Sequence, residues 1–177
     1  MKSTDVLKEE HEVIRKMLQI LSNVCEKLEK KENVEIEDLK LIIEFIRNFA
    51  DKCHHGKEED RLFPMMEEFG VPKEGAPIGV MLQEHELGRS YVINMAASLE
   101  KKDFSKFVEN VKNYIELLDP HIEKENTILY MIADMHIPED KQKELLKEFE
   151  KFEKEVIGKG EHKKFHKIVE NLKRKYL

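Results

Sequence analysis

Between residues 5 and 29, Leu7, Ile14, Leu18, Leu21, Cys25 and Leu28 recur in alternating steps of four and three, and His11 fills the one gap in the series. That spacing lines one face of an α-helix. The same rhythm returns from about 76 to 100 in Ile78, Met81, His85, Gly88, Val92, Met95 and Leu99. It returns again from about 103 to 134 in Phe107, Val111, Tyr114, Leu118, His121, Glu125, Ile128 and Ile132. A helix over roughly 35 to 68 is less regular, but Ile43, Ile46, Ala50, His54, Glu58, Leu62 and Met65 share a side, and Pro64 is expected to kink or nearly end it. Each apolar seam holds one histidine.

The breaks agree with four helices. KKENVE at 30 to 35 is polar, FGVPKEGAP at 69 to 77 carries Gly and Pro, and Asp103 stands where a helix N-cap would. Long helices joined by short loops predict an all-α, up-and-down four-helix bundle. After Pro138 two further amphipathic segments follow, about 139 to 157 and 161 to 176, separated by Gly158-Lys159-Gly160. They are too short for a second core. The expected organisation is a bundle over 1–136 and a helical extension over 137–177 that packs on it.

Composition narrows the function classes. The chain has 177 residues, enough for one well-buried core, and no window approaches the ~18 apolar residues of a membrane span. Its charged residues are interleaved along the chain and sum to −6, so no basic face for nucleic acid is expected. Cys25 and Cys53 fall at different heights of the first hairpin, so no disulfide joins them. A cytoplasmic protein is the expectation.

The histidines add chemistry to this frame. His11 and His54 are nearly equidistant from the turn near residue 33, as are His85 and His121 from the turn near 102. At ~1.5 Å of rise per residue, four helices bring a histidine inward at one level. Two of them add a carboxylate one turn further on the same face, through His54-x-x-x-Glu58 and His121-x-x-x-Glu125. Buried carboxylates cost several kcal/mol unless paired or bound to a metal, and Lys and Arg are nearly absent from these stripes. Two metal ions answer the charge, with Glu58 and Glu125 placed to bridge them. Carboxylate-and-histidine sites in four-helix bundles hold paired iron or manganese, and iron leads because zinc wants fewer ligands.

The ordered pattern H, HxxxE, H, HxxxE, in the settings HHGKEEDRLFP, EHELGR and HIEKENTILY, resembles the hemerythrin-like (HHE cation-binding) family. GEHKKFHKIVENLKRKY resembles an extension found in prokaryotic members. The resemblance implies a non-haem diiron centre, oxo- or hydroxo-bridged, on His11, His54, Glu58, His85, His121 and Glu125. It implies that O2, peroxide or nitric oxide meets the centre, with an electron-donor protein for any turnover. By analogy, oxidase, peroxidase or nitric oxide reductase activity, iron or oxygen sensing, and iron-centre repair are the roles implied. Manganese or a mixed pair is the alternative to iron.

Oxygen-carrying hemerythrins use five histidines, with HxxxH on the third helix and HxxxxD on the fourth. Here Arg89 stands four after His85, so the expected site is poorer in imidazole, which points away from reversible oxygen carriage. His55 follows His54 by about 100° of helical rotation, which turns it toward solvent or behind the ligands, although some related sites take a ligand there. His162 faces the protein and either caps the site or packs. Tyr114 is a hydrogen-bond donor near the ligands or plain core, and Gly88 leaves room for a small ligand or for close helix contact. The oligomeric state is left open.

Overall fold

A computed structural model describes residues 1–75 and 77–177. It forms an all-α bundle with two additional C-terminal helices. In chain order these are α1 (Ser3–Glu29), α2 (residues 36–68), α3 (Pro77–Glu100), α4 (residues 104–136), α5 (residues 139–157) and α6 (Glu161–Tyr176). Asp103 accepts from the backbone N–H of Lys106 at 3.0 Å and caps the start of α4. None of the described helices is long and apolar enough to cross a membrane.

Helix α3 packs along α4 and against α2, and α1 lies along α4. Helix α6 packs on both α1 and α2, while α5 meets α1 and the middle of α2. Phe165, Val169, Leu172 and Tyr176 of α6 join the same buried cluster as Ile14, Leu21, Phe45 and Phe107. A second buried cluster, at the other end of the bundle, gathers Leu7, Phe63, Met66, Ile78, Leu129 and Tyr130 with Leu145 and Phe149 of α5. Both added helices thus complete cores that the first four leave open. Gly56 on α2 shows how closely α5 approaches, because a Cβ there would lie 2.7 Å from the ring tip of Phe152.

Three helices depart from α geometry, α5 among them through a π turn at Glu153–Ile157. In α2 the turns Ile46–His55 and Glu58–Leu62 are π-helical, and in α4 so is Glu125–Leu129. A π turn carries an i→i+5 hydrogen bond and holds more residues than an α turn. Everything after it is therefore shifted by about one residue relative to a steady 3.6-residue period. The expected inward positions Met65, Ile128 and Ile132 are displaced in this way: Met66, Leu129 and Ala133 are buried instead, and Ile128 is 46% exposed. Pro64 does not end α2, which continues to Glu68. The widened turn just before it accommodates the absent N–H.

Because α6 shares the main core, Phe165→Ala should lower stability by about 3–5 kcal/mol in denaturant titration, while exposed Met135→Ala should stay within about 0.5 kcal/mol. Equal midpoints for the two variants would mean that α6 contributes nothing to the core.

Candidate metal centre

Between the two apolar clusters lies a buried polar layer. His11, His54, His85 and His121 are each 1% exposed, Glu58 and Glu125 are 0%, and His55 is 6%. The six residues singled out from the sequence do converge, and His55 joins them. Its ring stacks on that of His85 with centroids 3.8 Å apart, so it faces neither solvent nor the back of the site. Five imidazoles thus converge in the layer, the four expected ones and His55. The cause is the π turn Ile46–His55, which advances each residue by less than an α turn does and leaves two neighbours, His54 and His55, on the inner face.

The donor atoms fall into two groups. Ligand-type atoms of His11, His54, Glu58 and Glu125 lie within 4.8 Å of one another, and so do those of His55, His85 and His121. The carboxylates straddle the two. Glu58 sets Oε1 3.7 Å from His54 Nε2 and Oε2 3.3 Å from His85 Nε2. Glu125 sets Oε2 3.0 Å from His11 Nε2, and Oε1 2.9 Å from His121 Nε2 and 3.5 Å from His85 Nε2. Tyr130 donates its hydroxyl to Glu58 Oε1 at 2.5 Å.

The opposite edge of each ring faces an outer acceptor. Nδ1 of His11 meets Asn126 Oδ1 at 2.7 Å, that of His54 meets Glu10 Oε2 at 2.7 Å, and that of His85 meets Glu59 Oε2 at 2.7 Å. His55 Nδ1 meets Asp51 Oδ1 at 3.2 Å, and His121 Nδ1 lies 3.7 Å from Glu84. An Nδ1–H held by a carboxylate fixes the tautomer and turns the Nε2 lone pair inward, which is how metal-ligating histidines are oriented. The inner edges are correspondingly unsatisfied. Nε2 of His54, His85 and His121, Oε2 of Glu58 and both oxygens of Glu125 have no hydrogen-bond partner. Buried orphan acceptors at this density call for cations.

Charge follows the same geometry. Burial opposes protonation of His121, yet the Glu125 carboxylate outweighs it and lifts the imidazole to about 9. His54 and His85 are raised in the same way against their burial, chiefly by Glu58 for the first and by Glu125 and Glu58 for the second. His55 is the exception: burial and the neighbouring His85, His54 and His121 hold it well below the usual range, so its ring is neutral. Protons shared among the imidazoles are one answer to the two carboxylates. Metal ions are the other, since they take the same lone pairs once the protons leave.

The remaining candidates lie further out. His162 joins neither group: its Nε2 is 3.6 Å from Glu10 Oε1 and its ring packs 5.0 Å from that of Phe49. Tyr114 hydrogen-bonds none of the seven residues, and lines a cavity beside Gly88, where a Cβ would meet Tyr114 at an ordinary 3.6 Å. Cys25 and Cys53 are free, and burial lifts both thiols to about 12. Sequence reasoning missed Tyr130, Asn126, Glu10 and Lys57. Tyr130 lies five residues after Glu125, a step that reaches the same face only across a π turn.

Lys57 is fully buried and its ammonium contacts both Glu10 and Glu153 of α5. Burial would raise the Glu10 carboxyl, but His162, His54 and Lys57 together hold it well below the ordinary range. Arg89 plays the matching part on the other side. Its Nε donates to Asp51 at 2.8 Å and its Nη2 to Glu59 at 2.6 Å, the two carboxylates that face His55 and His85.

The family model for the hemerythrin HHE cation binding domain matches residues 2–133, which contain all seven converging residues. Comparison with curated proteins and with solved structures gives no match.

Arg89→Ala should therefore weaken metal binding by about 10–100-fold in competition titration without changing helix content, because Asp51 and Glu59, which orient two imidazoles, lose the cation that holds them in place. An unchanged affinity would show that packing alone holds His55 and His85. Lys57→Met should cost about 3–5 kcal/mol of stability, since Glu10 would be left buried without its cation. A denaturation midpoint equal to that of the parent would refute that role.

Proposed function

The chain belongs to the hemerythrin HHE cation-binding domain family, and from that premise we propose that it is a non-haem diiron protein that binds or reduces a small oxidant such as O2, peroxide or nitric oxide. The observation that carries this reading is the split of the two carboxylates, each with one oxygen toward either group of imidazoles. One ion would be held by His11 and His54, the other by His55, His85 and His121, with Glu58 and Glu125 shared. The donor set of five nitrogens and two bridging carboxylates suits iron, and manganese or a mixed pair next. When bound, an iron pair supplies two electrons and open coordination positions for the oxidant.

The protein's own contribution is orientation, burial and a held proton. Outer acceptors hydrogen-bond four of the five rings, Glu84 stands 3.7 Å behind the fifth, and apolar clusters flank the layer above and below. Burial and the Glu58 charge push the Tyr130 hydroxyl well above its ordinary range, so it keeps its proton and stays a hydrogen-bond donor to Glu58 Oε1. Repeated turnover requires an electron-donor protein.

A second reading, an iron- or oxygen-sensing module, is favoured by one feature. Half-buried Glu153 of α5 and the buried Lys57, Glu10 and His54 form a continuous chain of contacts from the C-terminal extension to the centre. In that reading a change of charge at the centre alters how α5 docks.

Metal analysis of protein purified without added metal should find two irons per chain, with the iron-associated absorption band lost in His55→Ala and in Glu125→Ala but kept in His162→Ala. A metal-free parent, or a His55→Ala variant that keeps both irons, would overturn the assignment. Stopped-flow oxidation of the reduced protein then separates the two readings. Many turnovers with peroxide or nitric oxide support an enzyme, and a single oxidation that loosens α5 supports a sensor.

A further inference from the structure

One cavity that reaches the centre has more room than a diatomic molecule needs. At about 240 Å³, it runs between α2, α3 and α4 and reaches the rings of His55 and His85. A water-sized guest takes about 30 Å³, and an apolar protein cavity of about 150 Å³ holds a benzene-sized one. The walls are Ile46, Gly88, Val92, Tyr114 and Leu118. Ile93, 63% exposed, forms an apolar lip where the cavity meets solvent.

Gly88 marks the space as a cavity and not a helix contact. A Cβ at this position would meet Tyr114 Cε2 at 3.6 Å and Leu117 Cδ2 at 3.7 Å, ordinary separations, so close packing does not require glycine. A longer side chain would fill the room beyond.

Charge at the mouth gives the guest its polarity. Among the charged residues on the wall, Asp51 is paired with Arg89, Glu84 with Lys124, and Arg89 with Asp51, Glu59 and Glu86. Arg47, exposed, makes no ion pair or hydrogen bond among the described residues. The opening thus presents one uncommitted guanidinium beside an apolar lip, with the His55 ring at the floor.

We propose that this cavity binds a small amphipathic monocarboxylate, with its hydrocarbon chain of about eight carbons along the α2–α3 wall and its carboxylate on Arg47. The binding itself needs no metal. Only the identity of what the far end of the chain meets rests on the diiron reading.

The test is calorimetric titration with octanoate, with octanol as the uncharged comparator, on the parent and on Arg47→Gln and Gly88→Leu, with iron counted in each sample. Octanoate should bind the parent saturably at one site. Arg47→Gln should weaken it by about tenfold, as the loss of a charge-assisted contact does, while leaving octanol unchanged. Gly88→Leu should abolish both while retaining helix content. No saturable binding to the parent, equal octanoate affinity in Arg47→Gln, or undiminished binding in a folded Gly88→Leu would each overturn the proposal. Two irons with no octanoate site would sink the cavity proposal and leave the diiron reading standing. An octanoate site sensitive to both variants in a protein without iron would do the reverse.

Discussion

Two carboxylates with no access to water, Glu58 and Glu125, set the terms for everything around them. Each is a negative charge in a low-dielectric layer, where an unpaired ion costs several kcal/mol. The surrounding residues are arranged in alternating shells of charge. Five imidazoles surround the pair, and four carboxylates, Glu10, Asp51, Glu59 and Glu84, stand behind four of the rings. Behind those carboxylates come cations, Lys57 on Glu10, Arg89 on Asp51 and Glu59, and Lys124 on Glu84. Removal of any shell leaves the next one inward or outward uncompensated.

Fitting that many donors into one layer of a four-helix bundle requires local departures from α geometry. An α-helix offers one inward residue per turn at a given level, so four helices offer four donors. The π turns add neighbours. His54 and His55 both reach the inner layer, Glu59 reaches His85 from beside Glu58, and Asn126 reaches His11 from beside Glu125. Rare π turns cluster at functional sites, and in the four-helix bundle they occur just where the donor-bearing residues lie. The apolar clusters on either side supply the packing that offsets their weaker local hydrogen bonding.

The same turns explain what was legible in the chain and what was not. Helix number, loops, the paired C-terminal segments and the common level of His11, His85 and His121 follow from a steady period of 3.6, because α1, α3, α4 as far as Lys124 and α2 as far as Phe45 keep it, and His54 stays inward although it lies in a π stretch. Beyond each π turn the period slips, and the reading slips with it, to Met65 for Met66 and Ile128 for Leu129. His55 is hidden for the same reason, since 100° of rotation from His54 assumes an α turn. Glu10 and Lys57 were hidden differently. A charged residue in a chain with 38% charged content reads as solvated face, and only the approach of α5, through Phe152 onto Gly56, covers them.

The covering by α5 and α6 also makes the centre asymmetric. On the side of His11 and His54, Lys57 joins Glu10 to Glu153, and the extension is packed over both. On the side of His55 and His85, the outer carboxylates are held by Arg89, which is partly exposed and lies on the wall of the open cavity. One half of the donor set is locked by a buried ion pair that the extension completes, and the other half faces the route by which a guest arrives. A molecule entering the cavity meets the three-imidazole group first. Arg89 stands one turn after His85 on α3, and the fifth imidazole of the layer, His55, comes from the neighbouring helix α2. The Arg89 guanidinium holds Asp51 and Glu59 together, so one side chain braces the carboxylates behind two rings at once.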